Sequence, residues 1–222
     1  QVILFPLIAI SPLQDYTAFE RQVVKLSHFD WAIFISTNAV QQGMPRLLNQ
    51  LGQVPARLRF AAIGPTTAAE LKKFGIDDTL VPDNRFDSES LLALPEMQNI
   101  HSQKVMIFRG EGGREVLADT LKSRGAHVEF AECYRRINPQ TDIELLDVQR
   151  RMGKLDAIVV TSSEAMRHLL QFAGDAEWLA SIPLCVNHER VADQPRQMGL
   201  RVAVAGASGD AAMLNCLTAT LS

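Results

Sequence analysis

Short apolar runs and amphipathic stretches alternate along almost the whole chain, and that alternation leaves few folds open. Runs at 2–10, 31–35, 60–63, 79–81, 104–108, 127–133, 157–160, 183–186 and 201–204 have the length and composition of buried strands. Between them, the stretches 16–27, 38–51, 66–74, 89–94, 114–123, 143–152, 164–172, 190–198 and 211–221 repeat apolar residues at helical spacing. Gly75, Gly125 and Gly199 each stand just past a predicted helix, where a glycine closes the last turn. Parallel neighbours need a helix to carry the chain back, so this alternation predicts an α/β fold with parallel sheets and helices on both faces.

The pattern also repeats. DWAIFISTNAV at 30–40 resembles DAIVVTSSEAM at 156–166, each a strand ending on hydroxyl residues that open a helix. Further on, AAIGPTTA at 61–68 answers LCVNHERV at 184–191, and a helix and a glycine follow in both copies. Order and spacing agree over both copies, which argues for a duplication and two similar domains. The first copy continues into a strand and helix that the second lacks, while VILFPLIAISP at 2–12 resembles the tail of that extra unit. The expected division is therefore a continuous α/β domain at 13–132 and a discontinuous one built from 1–12 plus 133–222. Segments near 1–13 and 132–139 would be two extended crossing strands. On this reading the discontinuous domain's first strand and helix are expected upstream of Gln1.

Composition excludes several function classes. A net charge of −3 with no basic stripe, and only 6% aromatic residues, argue against nucleic-acid binding. No apolar run is long enough for a membrane span. Cys133, Cys185 and Cys216 are odd in number and far apart, so reduced thiols and a cytoplasmic setting are expected. The five histidines never approach metal-ligand spacing, so no metal is expected. GEGGRE at 110–115 invites a dinucleotide reading, but Glu115 replaces the third glycine and would meet a pyrophosphate with like charge. No exposed heptad or edge pattern calls for an oligomer, so a monomer is expected.

Three stretches carry a family resemblance: FRGEGGREVLADTLKSRGAHVEFAECYRR at 108–136, AIGPTTAAEL at 62–71 and VVTSS at 159–163. In this order, over nearly the whole chain, they resemble the uroporphyrinogen-III synthase family. The resemblance implies two similar flavodoxin-like domains and a cyclising hydro-lyase of porphyrin and haem biosynthesis. Its substrate would be hydroxymethylbilane, an octa-anionic linear tetrapyrrole, with the upstream hydroxymethylbilane synthase a possible partner. It also implies that no cofactor takes part and that a tyrosine at the position of Tyr134 serves as the acid.

An octa-anion needs hydrogen-bond donors, and a doubly wound sheet offers them where strands end and helices begin. Those points are Ser36, Thr37 and Asn38; Gly64, Thr66 and Thr67; Arg109 and Arg114; Ser162 and Ser163; and His188 with Arg190. Plain helix capping accounts for Ser36, Thr67 and Ser162 equally well. A two-lobed binding protein without catalysis shares the duplication and the crossings, and only the family motifs separate it from an enzyme.

Overall fold

The computed structural model describes residues 2–222 except 84, 114, 140, 143, 175, 176 and 208. The chain packs as two units, Ile10–Arg136 and Gln1–Ala9 with Ile137–Ser222.

In the first unit, β2 (Trp31–Phe34), β3 (Arg59–Ala62), β4 (Thr79–Leu80), β5 (Lys104–Gly110) and β6 (His127–Ile137) form one parallel set. A short edge strand β1 (Ala9–Ser11) lies beside β6, giving the sheet order β1-β6-β5-β2-β3-β4. Counting from β2, the parallel strands run 3-2-1-4-5, with the switch in direction between β2 and β5. The layered α/β class is the expected one, and numbered cyclically from β5 the same strands run 2-1-3-4-5, the flavodoxin-like order.

Both sheet faces are buried, which is why these strands read as unbroken apolar runs. Ala32 and Phe34 of β2, with Met106 and Phe108 of β5, face a core closed by Phe19 and Val23 of α1 (Thr17–Val23), Val40, Met44 and Leu47 of α2 (Thr37–Leu51) and Leu71 of α3 (Pro65–Lys72). Phe34 stacks on Phe108 with ring centroids 4.3 Å apart. The alternate residues Trp31, Ile33, Val105 and Ile107 face the other core. Leu91 and Leu92 of α4 (Ser88–Ala93), Met97 of α5 (Pro95–Gln98) and Leu117 and Leu121 of α6 (Val116–Ser123) close it.

The second unit has a three-stranded parallel sheet, β7 (Ile158–Val160), β8 (Leu184–Val186) and β9 (Val202–Val204), in that order. Its helices are α7 (Glu144–Arg151), α8 (Ser163–Ala173), α9 (Glu189–Gln197) and α10 (Asp210–Leu221). Val160, Leu184 and Val186 meet Met166, Leu169 and Leu170 of α8 and Val191 of α9 in one core, which Leu7 also enters. Phe5 sets its ring edge-on to Phe172, and the Leu7 carbonyl lies 2.6 Å from His168 Nδ1.

The expected strand at 2–10 is reduced to Ala9–Ser11. Pro6 has no N–H to give a ladder, and Val2 and Leu4 are 87% and 86% exposed instead of facing a sheet. The long helix expected at 16–27 divides into α1 and a 3-10 turn, Leu26–His28. The repeat is visible as capped helices: Ser36 opens α2 after β2, and Ser162 opens α8 after β7. In the second pair of matched stretches the alignment moves by one residue, because Gly64 caps α3 whereas His188, not Asn187, caps α9.

Candidate active site

In the first unit β2, β3, β5 and β6 all end on one edge of the sheet, and the turns leaving that edge carry most of the expected site. After β2, the extended backbone at Ser36 turns its Oγ to accept from the Ala39 N–H at 3.1 Å. Such a cap stabilises its helix by about 1 kcal/mol. Thr37 and Asn38 are half-buried in the first turn of α2. Helix geometry leaves their N–H groups without an intrahelical partner. After β3, Gly64 caps α3 ahead of an exposed Thr66 and a buried Thr67. A Cβ at Gly64 would stand 3.0 Å from that of Phe86, so a glycine keeps this turn narrow.

The β5–β6 ladder breaks register at its end. Arg109 pairs with Glu132, but Gly110 pairs with Tyr134, leaving Cys133 as the extra residue of a bulge. A regular strand would send Cys133 and Tyr134 to opposite faces. Here both are buried in the core that faces α1, α2 and α3. The Cys133 thiol donates to the carbonyls of Arg109 (3.3 Å) and Ala39 (3.5 Å). Burial pushes it up to about 12, so it stays protonated and is no nucleophile.

The bulge carries Tyr134 against the start of α2. Its hydroxyl lies 3.2 Å from Ser36 Oγ and accepts from Arg136 Nη2 at 3.3 Å. The tyrosine is only 1% exposed. Gly110 makes that burial possible, because a Cβ there would stand 2.6 Å from Tyr134 Cε2. The site reading from sequence did not include Arg136. Its signal was the spacing, since residues two apart on a strand share a face.

Arg109 is placed differently from a donor open to an incoming carboxylate. It is 3% exposed, and its guanidinium lies 4.6 Å from the centre of the Phe130 ring. Its Nε donates to the Gly110 carbonyl at 3.2 Å and its Nη2 donates to the Gly112 carbonyl. The side chain thus braces the glycine turn from within. Glu132 holds the same turn by accepting from the Gly112 N–H at 3.2 Å. Arg114 lies outside the described residues.

In the second unit Ser162 accepts from the Ala165 N–H at 3.1 Å, beside an exposed Ser163. His188 Nδ1 accepts from the Arg190 N–H at 3.2 Å, and both residues are exposed. Asn187, half-buried between β8 and this cap, has a buried Oδ1 with no partner among the described residues. Ser162, Ser163, His188 and Arg190 therefore stand at helix starts of a separate unit from Tyr134. Among the described residues no three His, Cys, Asp or Glu side chains are grouped to hold a metal ion. Nor is any helix among them long and apolar enough to cross a membrane.

The family model described as Uroporphyrinogen-III synthase HemD matches residues 1–215. The chain belongs to the uroporphyrinogen-III synthase family. It is 35% identical over 217 residues to the uroporphyrinogen-III synthase of Escherichia coli (strain K12), covering 96% of this chain and 88% of that one. The Salmonella typhimurium enzyme of the same name is 33% identical over the same shares. Among solved structures, a mutant uroporphyrinogen III synthase from Thermus thermophilus aligns over 99% of this chain and 88% of its own. Its TM-score is 0.63 at 22% identity. The Helicobacter pylori 26695 uroporphyrinogen-III synthetase aligns over 97% and 91%, with a TM-score of 0.62 at 16% identity. At those identities the two structures speak for the fold of the family.

Proposed function

We propose that this chain closes hydroxymethylbilane to uroporphyrinogen III, with loss of water and inversion of ring D. The observation that carries the reading is Tyr134, held by Ser36 and Arg136 within a chain that matches the family model over residues 1–215. The terminal hydroxyl leaves as water and an azafulvene cation remains. The cation attacks the substituted position of ring D to form a spiro intermediate, which opens and recloses with that ring reversed. Unaided closure gives the other isomer, so the protein's main task is geometric. Tyr134 is the source of the proton that helps the hydroxyl leave.

The substrate carboxylates are met by helix starts: the N–H groups of Thr37 and Asn38 behind the Ser36 cap, Gly64, Thr66 and Thr67, Ser162 and Ser163, and His188 with Arg190. Each hydrogen bond to a carboxylate contributes roughly 1.5–3 kcal/mol, so a few outweigh the weak repulsion of a chain with net charge −3. Arg109 acts indirectly, by holding the turn after β5. We take the enzyme to work without a cofactor, as a cytoplasmic monomer supplied by hydroxymethylbilane synthase. Its three free cysteines suit a reducing compartment.

The test supplies fresh hydroxymethylbilane, oxidises the products and separates the type I and type III porphyrins. Predominantly type III product is expected; type I alone would leave a two-lobed binding protein. Tyr134→Phe is expected to slow type III formation about 100-fold with the fold intact. A loss under about threefold would make Tyr134 a binding or structural group.

A further inference from the structure

Tyr134 is 1% exposed, with its ring walled in by the Gly110 backbone, whereas Ser36 is half-buried at the open end of the same hydrogen bond. Donor accounting allows that chain to run outward from Tyr134 through Ser36. A serine hydroxyl has one proton to give and two places to accept. The Ala39 N–H fills one acceptor position of Ser36 Oγ at 3.1 Å, and the Tyr134 hydroxyl, 3.2 Å away, fills the second. Arg136 Nη2 donates to the Tyr134 oxygen at 3.3 Å, and we take the phenolic proton to point at Ser36, the acceptor 3.2 Å away. Both acceptor positions of Ser36 Oγ are then filled from inside, and its own proton is the one turned outward.

We propose that Ser36, not Tyr134, is the group that touches the departing hydroxyl, and that Tyr134 and Arg136 are positioning residues acting through it. This rests on the reaction given above. As the substrate C–O bond breaks, Ser36 gives its proton to the oxygen, which leaves as water. Ser36 Oγ takes the phenolic proton in the same motion, and the charge left on the Tyr134 oxygen faces the Arg136 guanidinium. After ring closure, the pyrrole carbon that bonded sheds its proton to recover aromaticity. That proton returns through Ser36 to Tyr134, so the enzyme ends as it began.

The full chain is assayed for type III formation with three changes. Ser36→Asn keeps a good helix cap but has no acidic proton. It is expected to lower kcat about 100-fold with KM within about threefold and an unaltered melting midpoint. Ser36→Thr, which keeps a hydroxyl, is expected to retain kcat within about threefold. Adding Tyr134→Phe to Ser36→Asn is expected to cost less than about threefold more, because two members of one relay are not lost twice. The relay is overturned if Ser36→Asn keeps more than about a third of kcat, raises KM alone, or multiplies its loss with that of Tyr134→Phe. Type I product from the unaltered chain would instead remove the proposed reaction itself, and the relay with it.

Discussion

At Gly110 the requirement for glycine comes from a neighbour, not from backbone torsion. A Cβ there would meet Tyr134 Cε2 at 2.6 Å and Cζ at 2.8 Å, well inside any ordinary contact. The ring lies in a full core and has little room to yield. Gly110→Ala is therefore expected to push the phenol away from Ser36 and cut type III formation at least about tenfold, while overpacking costs about 1–3 kcal/mol in stability. Steady-state rates and thermal melts on the same samples check this. An unchanged rate would mean that the contact between Tyr134 and Ser36 is dispensable. From the sequence, Gly110 was legible only as part of a glycine-rich turn, and Tyr134 only through the family resemblance. The link between them is a bulge, and apolar periodicity carries no mark of one extra residue when Cys133 and Tyr134 are both buried. Arg109 was misleading for a related reason. An arginine beside glycines suggests an anion site, yet here the glycine carbonyls themselves take the guanidinium protons.

Elements were far more legible than contacts, because burial on both sheet faces writes strands as apolar runs and amphipathic helices as spaced ones. What escaped was local chemistry: the end of β6 at Ile137, the small α5, and the loss of strand structure before Ala9. Of the caps read from the sequence, Ser36 and Ser162 open their helices, whereas Thr67 lies inside α3, which Gly64 caps because Pro65 starts the helix two residues earlier. Asp87, which the sequence did not single out, caps α4 by accepting from the Ser90 N–H at 2.8 Å. Its bonds to the Ser90 side chain and backbone, with Arg85 nearby, hold its carboxyl below the ordinary value. A depressed carboxylate adds stability above the unfolded-state pKa and loses it as pH falls through the folded one. Wild type is thus expected to lose Asp87's contribution below about pH 4. Asn caps a helix about as well as Asp but does not titrate. Asp87→Asn is expected to match wild type near neutrality and to show a shallower fall in melting midpoint on acidification. Parallel acid slopes for the two proteins would show that Asp87 plays no part in acid sensitivity.

At the scale of the whole chain, the repeat read from the sequence reappears as matching helix caps. Ser36 and Ser162 each cap a helix by accepting from the N–H three residues on, at 3.1 Å in both copies. The caps at Gly64 and His188 follow their strands at the same distance, a match the sequence alignment missed by one residue because neither shares a side chain with the other. Each unit also has apolar cores of its own, one on either face of the six-stranded sheet and one around β7, β8 and β9. We propose that the two units are separate folding domains, the second assembled from both ends of the chain. Leu169 is fully buried among Val160, Leu184, Val186 and Leu7, so it reports on that second core alone. Leu169→Ala removes its side chain at a cost of about 2–5 kcal/mol. Hydrogen exchange read by mass spectrometry is expected to show faster exchange throughout Ile137–Ser222 and in peptides covering Phe5 and Leu7. Protection within Ile10–Arg136 is expected to hold, because the cores of that unit contain none of the residues that lose a partner. Equal loss of protection in both units would mean that the chain unfolds as one cooperative body, and the division into domains would describe packing without describing stability.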